Sequence, residues 1–427
     1  MNVIPATDME RLGRFFCKGW DAPPDVVAEV AEIIARVRES GDEALVDYGT
    51  RFDDETFDLS KLRVALPMPD RARSLVPREI AEALEVARDR IARFHDRQRQ
   101  VDLAYAEEDG TRYGVYRRPL ESVAVYVPGS ITVSPLSVLM GVVPAKIAGV
   151  GRIIVLTPPR RGGLVHPAIL FACSLCETNE LYAVGGAHAI AAAAFGSESV
   201  VPVDKIVGPG GVWVTEAKRQ VSGWCGTDAL CGPSEVLVVA DDGANSEFVA
   251  GELLAQAEQS ATGRLAVVSE SRSLLDAVSQ LLDTLDLRTL ERGESISNAI
   301  ASACALIHAA SREEIFDVIE RFAPAYLCLQ VRDATVYLPR IRRAGAAFVG
   351  ELTPLVSNFL AGTNHLVPTS GTARWASGLR LEDFTRTFTV VENSAERMMN
   401  DALMVAALAE LEGLPQHAQT ARMRYGG

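Results

Sequence analysis

The chain has 427 residues, of which 48% are hydrophobic and 23% charged, so it is long enough for two or more domains and its composition is not that of a disordered protein. Its formal net charge of -14 argues against nucleic acid or an anionic membrane as the main partner, since both bind basic surfaces. A small-molecule ligand is the favoured partner.

The sequence predicts a soluble cytoplasmic protein. The N-terminal segment MNVIPATDMERLGRFF lacks the apolar core and small-residue cleavage site of a signal peptide. The richest apolar stretch, residues 138–156, is interrupted by Pro144, Lys146 and Arg152, which excludes a membrane span. Seven cysteines, an odd number in a long chain, do not form a disulfide framework.

Two amphipathic helices are predicted in the N-terminal region. Apolar residues recur at helical spacing in VVAEVAEIIARVRES, within residues 24–49, and in EIAEALEVARDRIARFHDRQ, residues 79–98. Both helices have a charged face, so we expect them to lie on the body of the protein.

From residue 122 onward, short β-branched strands alternate with helices. VAVYV, RIIVLT and LYAV form a first run of strands, and EVLVVA, RLAVVSE and YLCLQV form a second. This alternation is typical of parallel sheets with helices on both faces. We predict an α/β fold with two Rossmann-like parallel-sheet domains and smaller helical N- and C-terminal pieces.

These patterns divide the chain into five predicted segments. They are an N-terminal helical region with part of the second α/β domain (1–121), the first α/β domain (122–232), the second α/β domain (233–350), an active-site-type loop region (351–391) and a C-terminal helical dimerisation segment (392–427). The loop region has little periodicity and mixes apolar with hydrogen-bonding residues, which favours a binding loop.

Three glycine-rich turns follow predicted strands and precede predicted helices: YVPGS (126–130), VGGAHA (184–189) and VGPGG (207–211). Backbone amides at such helix starts receive phosphate or another anion. None of the three has the spaced GxGxxG fingerprint, and glycine at such turns also serves backbone geometry alone. Both interpretations stay open.

Polar and sulfur-containing residues give weaker signals. Cys173 and Cys176 lie in an apolar helical stretch, AILFACSLCE, which predicts buried thiols rather than a redox pair. Gln256 and Gln259 lie three residues apart in ELLAQAEQ, so one helix face presents both side chains. Composition alone does not identify a metal there.

A series of segments resembles the signature stretches of the histidinol dehydrogenase family, in order, over about residues 24–424. The segments are YVPG, KIAG, VGGAHAIAAAAFGSESV, VDKI, GPGG, VTEAKRQVS, GPSEVLV, LLAQAEQ and GTNHLVPT. The resemblance implies a homodimer that oxidises an amino alcohol to an amino acid, through an aldehyde, in two NAD-dependent hydride transfers. It also implies a zinc ion that holds the substrate and a Glu-His pair that handles protons and water.

The resemblance implies three cofactor-binding positions. Tyr126 stands where the family has a cofactor-contacting tyrosine, His188 where it has glutamine, and Gly211 where it has asparagine.

Further positions are implied for the substrate and the metal. Ser234, His365 and Glu412 agree with substrate-contacting residues of the family. Gln256 and His417 agree with zinc ligands and are residual metal positions here. In contrast, Gln259 and Asn358 replace a histidine and an aspartate. We count all four among the substrate-binding positions, together with the first three.

The catalytic Glu-His pair of the family falls on Ala325 and Tyr326, in APAYL. A tyrosine has an unperturbed pKa near 10, so it acts as a base near neutral pH only if that pKa is strongly lowered. General acid-base assistance contributes about 10² to 10⁴ in rate. These changes predict that zinc is absent and that authentic histidinol dehydrogenase activity is lost.

Two functions are consistent with these replacements. The favoured one is a zinc-independent, NAD-linked oxidoreductase for an alcohol or amino alcohol other than histidinol, with Tyr326 or His188 as the proton relay. NAD itself carries the hydride chemistry, which leaves this reaction open. The alternative is a non-catalytic relative that binds a metabolite or a partner protein.

Overall fold

The computed structural model describes residues 1–129, 132–160, 162–233, 235–259, 263–287 and 290–424. The chain divides into two compact units. The first comprises Met1–Gln98 and Leu120–Phe384, and the second comprises Arg99–Pro119 and Thr385–Gly427. The five segment boundaries drawn from the sequence stay predictions.

The strands of the described residues are short and number as follows in chain order: β1 Val3–Pro5, β2 Arg63–Val64, β3 Leu103–Ala106, β4 Arg112–Pro119, β5 Ser122–Tyr126, β6 Arg152–Thr157, β7 Glu180–Ala183, β8 Lys205–Val207, β9 Gly226–Thr227, β10 Val236–Ala240, β11 Leu265–Ser269, β12 Cys304–His308, β13 Tyr326–Gln330, β14 Ala346–Val349 and β15 Thr385–Glu392.

The α-helices of the described residues number as follows: α1 Met9–Leu12, α2 Pro24–Tyr48, α3 Leu59–Leu62, α4 Pro69–Arg73, α5 Arg78–Asp96, α6 Pro135–Ala148, α7 Pro167–Leu175, α8 Gly186–Phe195, α9 Val212–Val221, α10 Ser246–Gln259, α11 Arg272–Thr284, α12 Gly293–Ala303, α13 Arg312–Phe322, α14 Asn358–Ala361, α15 Ala395–Leu411 and α16 Pro415–Arg422. A π-helical turn, Gly49–Asp53, follows α2. Both amphipathic helices predicted in the N-terminal region are present, as α2 and α5.

The first sheet has the strand order β2-β7-β6-β5-β8-β9, with β2 antiparallel to β7 and the other pairs parallel. Successive residues of β5 face opposite sides of the sheet. Val123 and Val125 pack into a core that includes residues of α5, α6 and α7. Ala124 and Tyr126 pack into a second core that includes residues of α2, α8 and α9. Both faces of the sheet are therefore covered, as expected for parallel strands that are apolar throughout.

The second sheet has the order β1-β12-β11-β10-β13-β14 and is parallel throughout. On β10, Val236 and Val238 pack with α10, α11 and α12, whereas Leu237 and Val239 pack with α13. The chain's first strand, β1, forms one edge of this sheet.

The two sheets share one winding pattern. In each, the two strands that follow a central strand, β5 or β10, step away from it in one direction, and the next two strands lie on its other side. This is the doubly wound arrangement, in which ligands bind beside the point where the winding direction reverses. The predicted α/β fold with two Rossmann-like parallel-sheet domains is confirmed.

The second unit contains an antiparallel sheet, β15-β4-β3, and the helical pair α15 and α16. The sequence does not predict this sheet. All four residues of β3 are exposed, and β15 is exposed along nearly its whole length. Strands of this kind lack the alternation of buried and exposed residues that marks a strand in a sequence. Among the described residues, no helix is both long and apolar enough to cross a membrane.

Candidate functional site

The first candidate ligand edge lies where the winding of the first sheet reverses, between the ends of β5 and β8. Tyr126 ends β5, and Gly208 directly follows β8 with a φ of 122°. A Cβ atom at Gly208 would lie 2.1 Å from the carbonyl oxygen of Tyr126. Glycine is therefore required at this position both by its backbone conformation and by the close approach of β5.

A buried ion pair holds the Gly208 turn in place. Asp228 Oδ2 accepts a hydrogen bond from the Gly208 N–H at 2.8 Å, and Lys218 Nζ donates to the Gly208 carbonyl oxygen at 2.9 Å. Lys218 and Asp228 also pair with each other, and their side chains are each 2% exposed. The turn before α9 is thus fixed by charge-assisted hydrogen bonds in a dry environment.

Gly211 lies at the open end of this edge. It is the N-cap of α9 and provides no side-chain cap, and a Cβ atom built on it would meet nothing within 4 Å. The helix therefore begins beside free space, where backbone N–H groups are suited to an anionic ligand.

The second glycine-rich turn, which opens α8, is occupied by the protein's own side chains. Tyr126 is 5% exposed, and its hydroxyl accepts a hydrogen bond from the Gly186 N–H at 3.2 Å. Asp53 Oδ2 accepts one from the Gly185 N–H at 2.9 Å. Burial raises the pKa of Tyr126 well above its ordinary value, so the phenol stays neutral at physiological pH.

His188 is anchored to the same carboxylate. Its Nε2 lies 3.0 Å from Asp53 Oδ2, and the His188 side chain is 1% exposed. The imidazole ring also lies against the rings of Tyr48 and Phe52, with centroid separations of 5.9 and 6.4 Å. Of the two residues in this pair, only His188 is predicted from the sequence. Asp53 is one of several acidic residues in RFDDETFD, and no spacing pattern connects it with a turn more than 130 positions later.

The second candidate edge is formed at the amino end of β13. Tyr326, the first residue of that strand, donates a hydrogen bond from its hydroxyl to the carbonyl oxygen of His365 at 3.0 Å. Burial raises the pKa of Tyr326 well above its ordinary value, and a hydrogen bond with Asn358 opposes this in part. The direction is opposite to that required of a general base.

His365 joins this edge to the first sheet. Its Nε2 lies 2.9 Å from the hydroxyl of Ser137, near the start of α6, and its backbone N–H points to the sulfur of Met140 at 3.0 Å. Burial lowers the pKa of His365 to about 4, so the ring is neutral at physiological pH. Asn364, next to it, donates to the carbonyl oxygen of Met140 at 2.8 Å and so fixes the loop.

The glutamine pair lies at the end of α10. Gln256 Nε2 donates to Gln259 Oε1 at 3.1 Å; Gln256 is 1% exposed and Gln259 is exposed. Asn358, 6% exposed, accepts a hydrogen bond from the Thr363 hydroxyl at 2.8 Å. These side chains supply amide oxygens and nitrogens.

Glu252, one helical turn before Gln256, is a buried acid that the sequence analysis misses. Its Oε2 accepts a hydrogen bond from the Leu355 N–H at 3.0 Å, and its Oε1 lies 3.5 Å from the Gln330 amide. Burial raises the pKa of Glu252. The spacing of four residues within ELLAQAEQ is a signal that would have found it, since positions i and i+4 share a helix face.

The other predicted positions are distributed as follows. Ala325 is fully buried. Glu412 and His417 belong to the second unit, where both are exposed, Glu412 as the C-cap of α15 and His417 within α16. Ser234 lies outside the described residues.

The donors gathered in the first unit do not fit a zinc ion. Zinc sites are built from thiolate, imidazole and carboxylate ligands, whereas Gln256, Gln259 and Asn358 are neutral amides. Within the part of the chain that the structure describes, no group of three or more His, Cys, Asp or Glu residues is placed to hold a metal ion.

The chain is similar over nearly its full length to histidinol dehydrogenases. The sequence model described as Histidinol dehydrogenase matches residues 20–425. The chain is 40% identical to histidinol dehydrogenase of Mesorhizobium japonicum over 419 residues, which cover 97% of this chain and 96% of the relative. It is also 40% identical to histidinol dehydrogenase of Listeria monocytogenes over 402 residues, which cover 94% and 93%.

A solved structure agrees with these relatives. The histidinol dehydrogenase of Elizabethkingia anophelis superimposes with a TM-score of 0.91 at 30% identity, covering 99% of this chain and 97% of the other.

These similarities contradict the functions expected from the sequence. The predictions of a substrate other than histidinol, of a non-catalytic relative and of lost histidinol dehydrogenase activity are wrong, because relatives at 40% identity over nearly the full length support ordinary histidinol dehydrogenase activity. Those predictions rest on a few positions, chiefly Ala325 and Tyr326, whereas the similarity extends over some 400 aligned residues. The equivalence of those two positions to a catalytic pair stays a prediction.

Proposed function

Because the chain belongs to the histidinol dehydrogenase family, we propose that it oxidises histidinol with NAD as the hydride acceptor. The observation that carries this proposal is the 40% identity to a curated histidinol dehydrogenase over 97% of the chain. The resemblance implies that two hydride transfers convert the amino alcohol to the amino acid through an aldehyde.

We place the cofactor at the edge where the winding of the first sheet reverses. The arrangement fits a dinucleotide, since Gly208 permits close backbone approach and Gly211 leaves the start of α9 open. NAD, when bound, supplies the acceptor for the hydride. At this edge the protein orients the cofactor. The Lys218–Asp228 pair fixes the Gly208 turn, and the Tyr126 hydroxyl fixes the start of α8.

We place the substrate at the amino end of β13. His365, neutral at physiological pH, is hydrogen-bonded to the Ser137 hydroxyl and presents a polar ring without a charge. Gln256, Gln259 and Asn358 offer both donors and acceptors to the amine, hydroxyl and imidazole groups of histidinol.

We also propose that these amides bind the substrate directly, without zinc. The support is the chemistry of the donors, which zinc binds poorly compared with imidazole or carboxylate.

The proposal includes a cytoplasmic homodimer, as the sequence predicts. Support for a second copy comes from the second unit, where Met404, Leu408 and Leu411 are 59%, 62% and 83% exposed. Their spacing of four and three residues places them on one side of α15.

The test is NADH formation by purified, untagged protein supplied with L-histidinol and NAD. We expect two NADH per histidinol consumed. Elemental analysis of the same preparation tests the metal separately: about one zinc per chain would overturn direct binding by the amides while leaving the reaction intact. Absence of NADH formation with histidinol, by protein shown to be folded, would overturn the reaction itself.

A further inference from the structure

The turn that opens α8 has the form of an anion site, but its amides are already used. The Gly185 N–H donates to Asp53 and the Gly186 N–H donates to Tyr126. A carboxylate at the N-terminus of a helix is stabilised by the same amides and dipole that would otherwise hold a phosphate. Asp53 thus stands in the place of a bound anion.

Asp53 reaches this place from a distant part of the chain. It ends the π-helical turn Gly49–Asp53, and its side chain is 6% exposed. The fit is close: a Cβ atom on Gly185 would lie 2.8 Å from Asp53 Oδ1 and 2.5 Å from Cβ of Pro158. There is therefore no room for a side chain at Gly185, because the Asp53 carboxylate lies directly against the turn.

The same oxygen, Asp53 Oδ2, also holds the ring of His188 in place. It lies 3.0 Å from Nε2, which leaves Nδ1 on the other side of the ring free of this contact. The nearest atom to a Cβ built on Gly186 is this Nδ1, at 3.3 Å. Nδ1 therefore lies close to the backbone of the turn, and the imidazole ring packs against that turn and supports it.

We propose that Asp53 is a positioning residue for the cofactor, acting through Gly185 and His188 to fix the turn beside Tyr126. This rests on the proposed use of NAD. Two consequences follow. The phosphates of the cofactor do not bind at the start of α8, because a buried carboxylate already fills it. Loss of that carboxylate loosens the cofactor edge and leaves the substrate edge at β13 intact.

The test is equilibrium titration with NADH, followed by fluorescence, of the wild type, Asp53→Asn and Asp53→Ala. Asp58→Asn is the matched control, because Asp58 also accepts a backbone N–H, from Ser60 at 2.8 Å, but at the exposed start of α3. We expect the Kd for NADH to rise about tenfold or more in both Asp53 variants and to stay unchanged in Asp58→Asn. In steady-state assays, KM for NAD should rise while KM for histidinol does not.

Chemical rescue distinguishes a positioning role of Asp53 from a purely structural one. Acetate, compared with chloride at equal ionic strength, should restore part of the NADH affinity of Asp53→Ala by refilling the anion position. If the Asp53 variants do not fold, His188→Asn replaces them, since its shorter side chain loses the contact with Asp53, and its Kd should rise as well.

The outcomes are distinct. A folded Asp53→Asn protein, or a folded His188→Asn protein, that binds NADH as tightly as the wild type overturns this inference alone. A wild type that does not bind NADH overturns the proposed cofactor and this inference with it.

Discussion

The hydroxyl of Tyr326 lies 3.0 Å from the carbonyl oxygen of His365, and the ring of that histidine lies 2.9 Å from the hydroxyl of Ser137. One histidine therefore connects β13 of the second sheet with α6 of the first. The edge assigned to the substrate is thus tied to the first sheet by hydrogen bonds through a single loop residue.

Tyr326→Phe tests the first of these bonds. The variant keeps the buried ring and leaves the His365 carbonyl without its donor, so we expect a loss of about 1 kcal/mol in the free energy of unfolding. We also expect a higher KM for histidinol, because the loop loses an anchor. Urea unfolding and steady-state kinetics measure the two effects. Tyr105→Phe, at a position 50% exposed in the second unit, is the control. Unchanged KM and stability would contradict the assignment.

The lowered pKa of His365 makes stability depend on pH. Burial lowers it to about 4, whereas the unfolded residue titrates near 6.5. Between these values the unfolded chain binds a proton that the folded chain does not. The stability contributed above pH 6.5 is therefore lost as the pH falls toward 4, by up to about 3 kcal/mol.

His365→Gln should reduce this loss. Urea unfolding of wild type and variant at neutral and at acidic pH measures it. Burial lowers the pKa of His95 as well, so we expect a smaller decline in stability rather than none. The stability of the His417→Gln variant, in which an exposed residue is replaced, should decline at acidic pH as that of the wild type does. The same decline in His365→Gln as in the wild type would show that His365 is not the group responsible.

Gly208→Ala and Gly211→Ala form a matched pair in one turn. At Gly208 the added methyl group would meet the Tyr126 carbonyl oxygen at 2.1 Å in a backbone conformation with φ of 122°, whereas at Gly211 it would meet nothing within 4 Å. We expect Gly208→Ala to lower the unfolding free energy by about 2 kcal/mol or more and to weaken NADH binding. Gly211→Ala should stay within about 0.5 kcal/mol of the wild type. Equal stabilities would show that β5 does not restrict the turn.

Leu408→Glu tests the proposed dimer. The residue is 62% exposed on α15, and a carboxylate there would be costly to bury against a second copy. We expect the variant to be a monomer by light scattering at concentrations where the wild type is a dimer. Glu410→Gln, on the same helix, is the control for the change in charge. A Leu408→Glu protein that is still dimeric would exclude this face of the helix from the interface.

The sequence predicts the α/β architecture because buried parallel strands are continuous apolar runs, as in β6 and β10, and because α2 and α5 have a regular apolar face. It does not predict β3 and β15, which are largely exposed, or β4, which is mostly partly buried, because all three lack that regularity. Within the site, it selects residues by type and by motif, such as His188 and His365. It does not select Asp53, whose partner, the Gly185 turn, is set by folding. It offers Glu252 only through the spacing of four residues from Gln256, and the contact of Glu252 with the Leu355 segment is again set by folding.

The position of β1 in the second sheet affects the order in which the two sheets fold. Val3 pairs with Leu306, so β1 waits for a partner strand that is made about 300 residues later. The first sheet, contained within residues 63–227, is complete long before this. Its low sequence separation favours early folding during synthesis, whereas the second sheet closes only after β12, β13 and β14 have been made. The three residues of β1 thus form an edge that is added late, and their removal would leave β12 as an unprotected edge available to other chains.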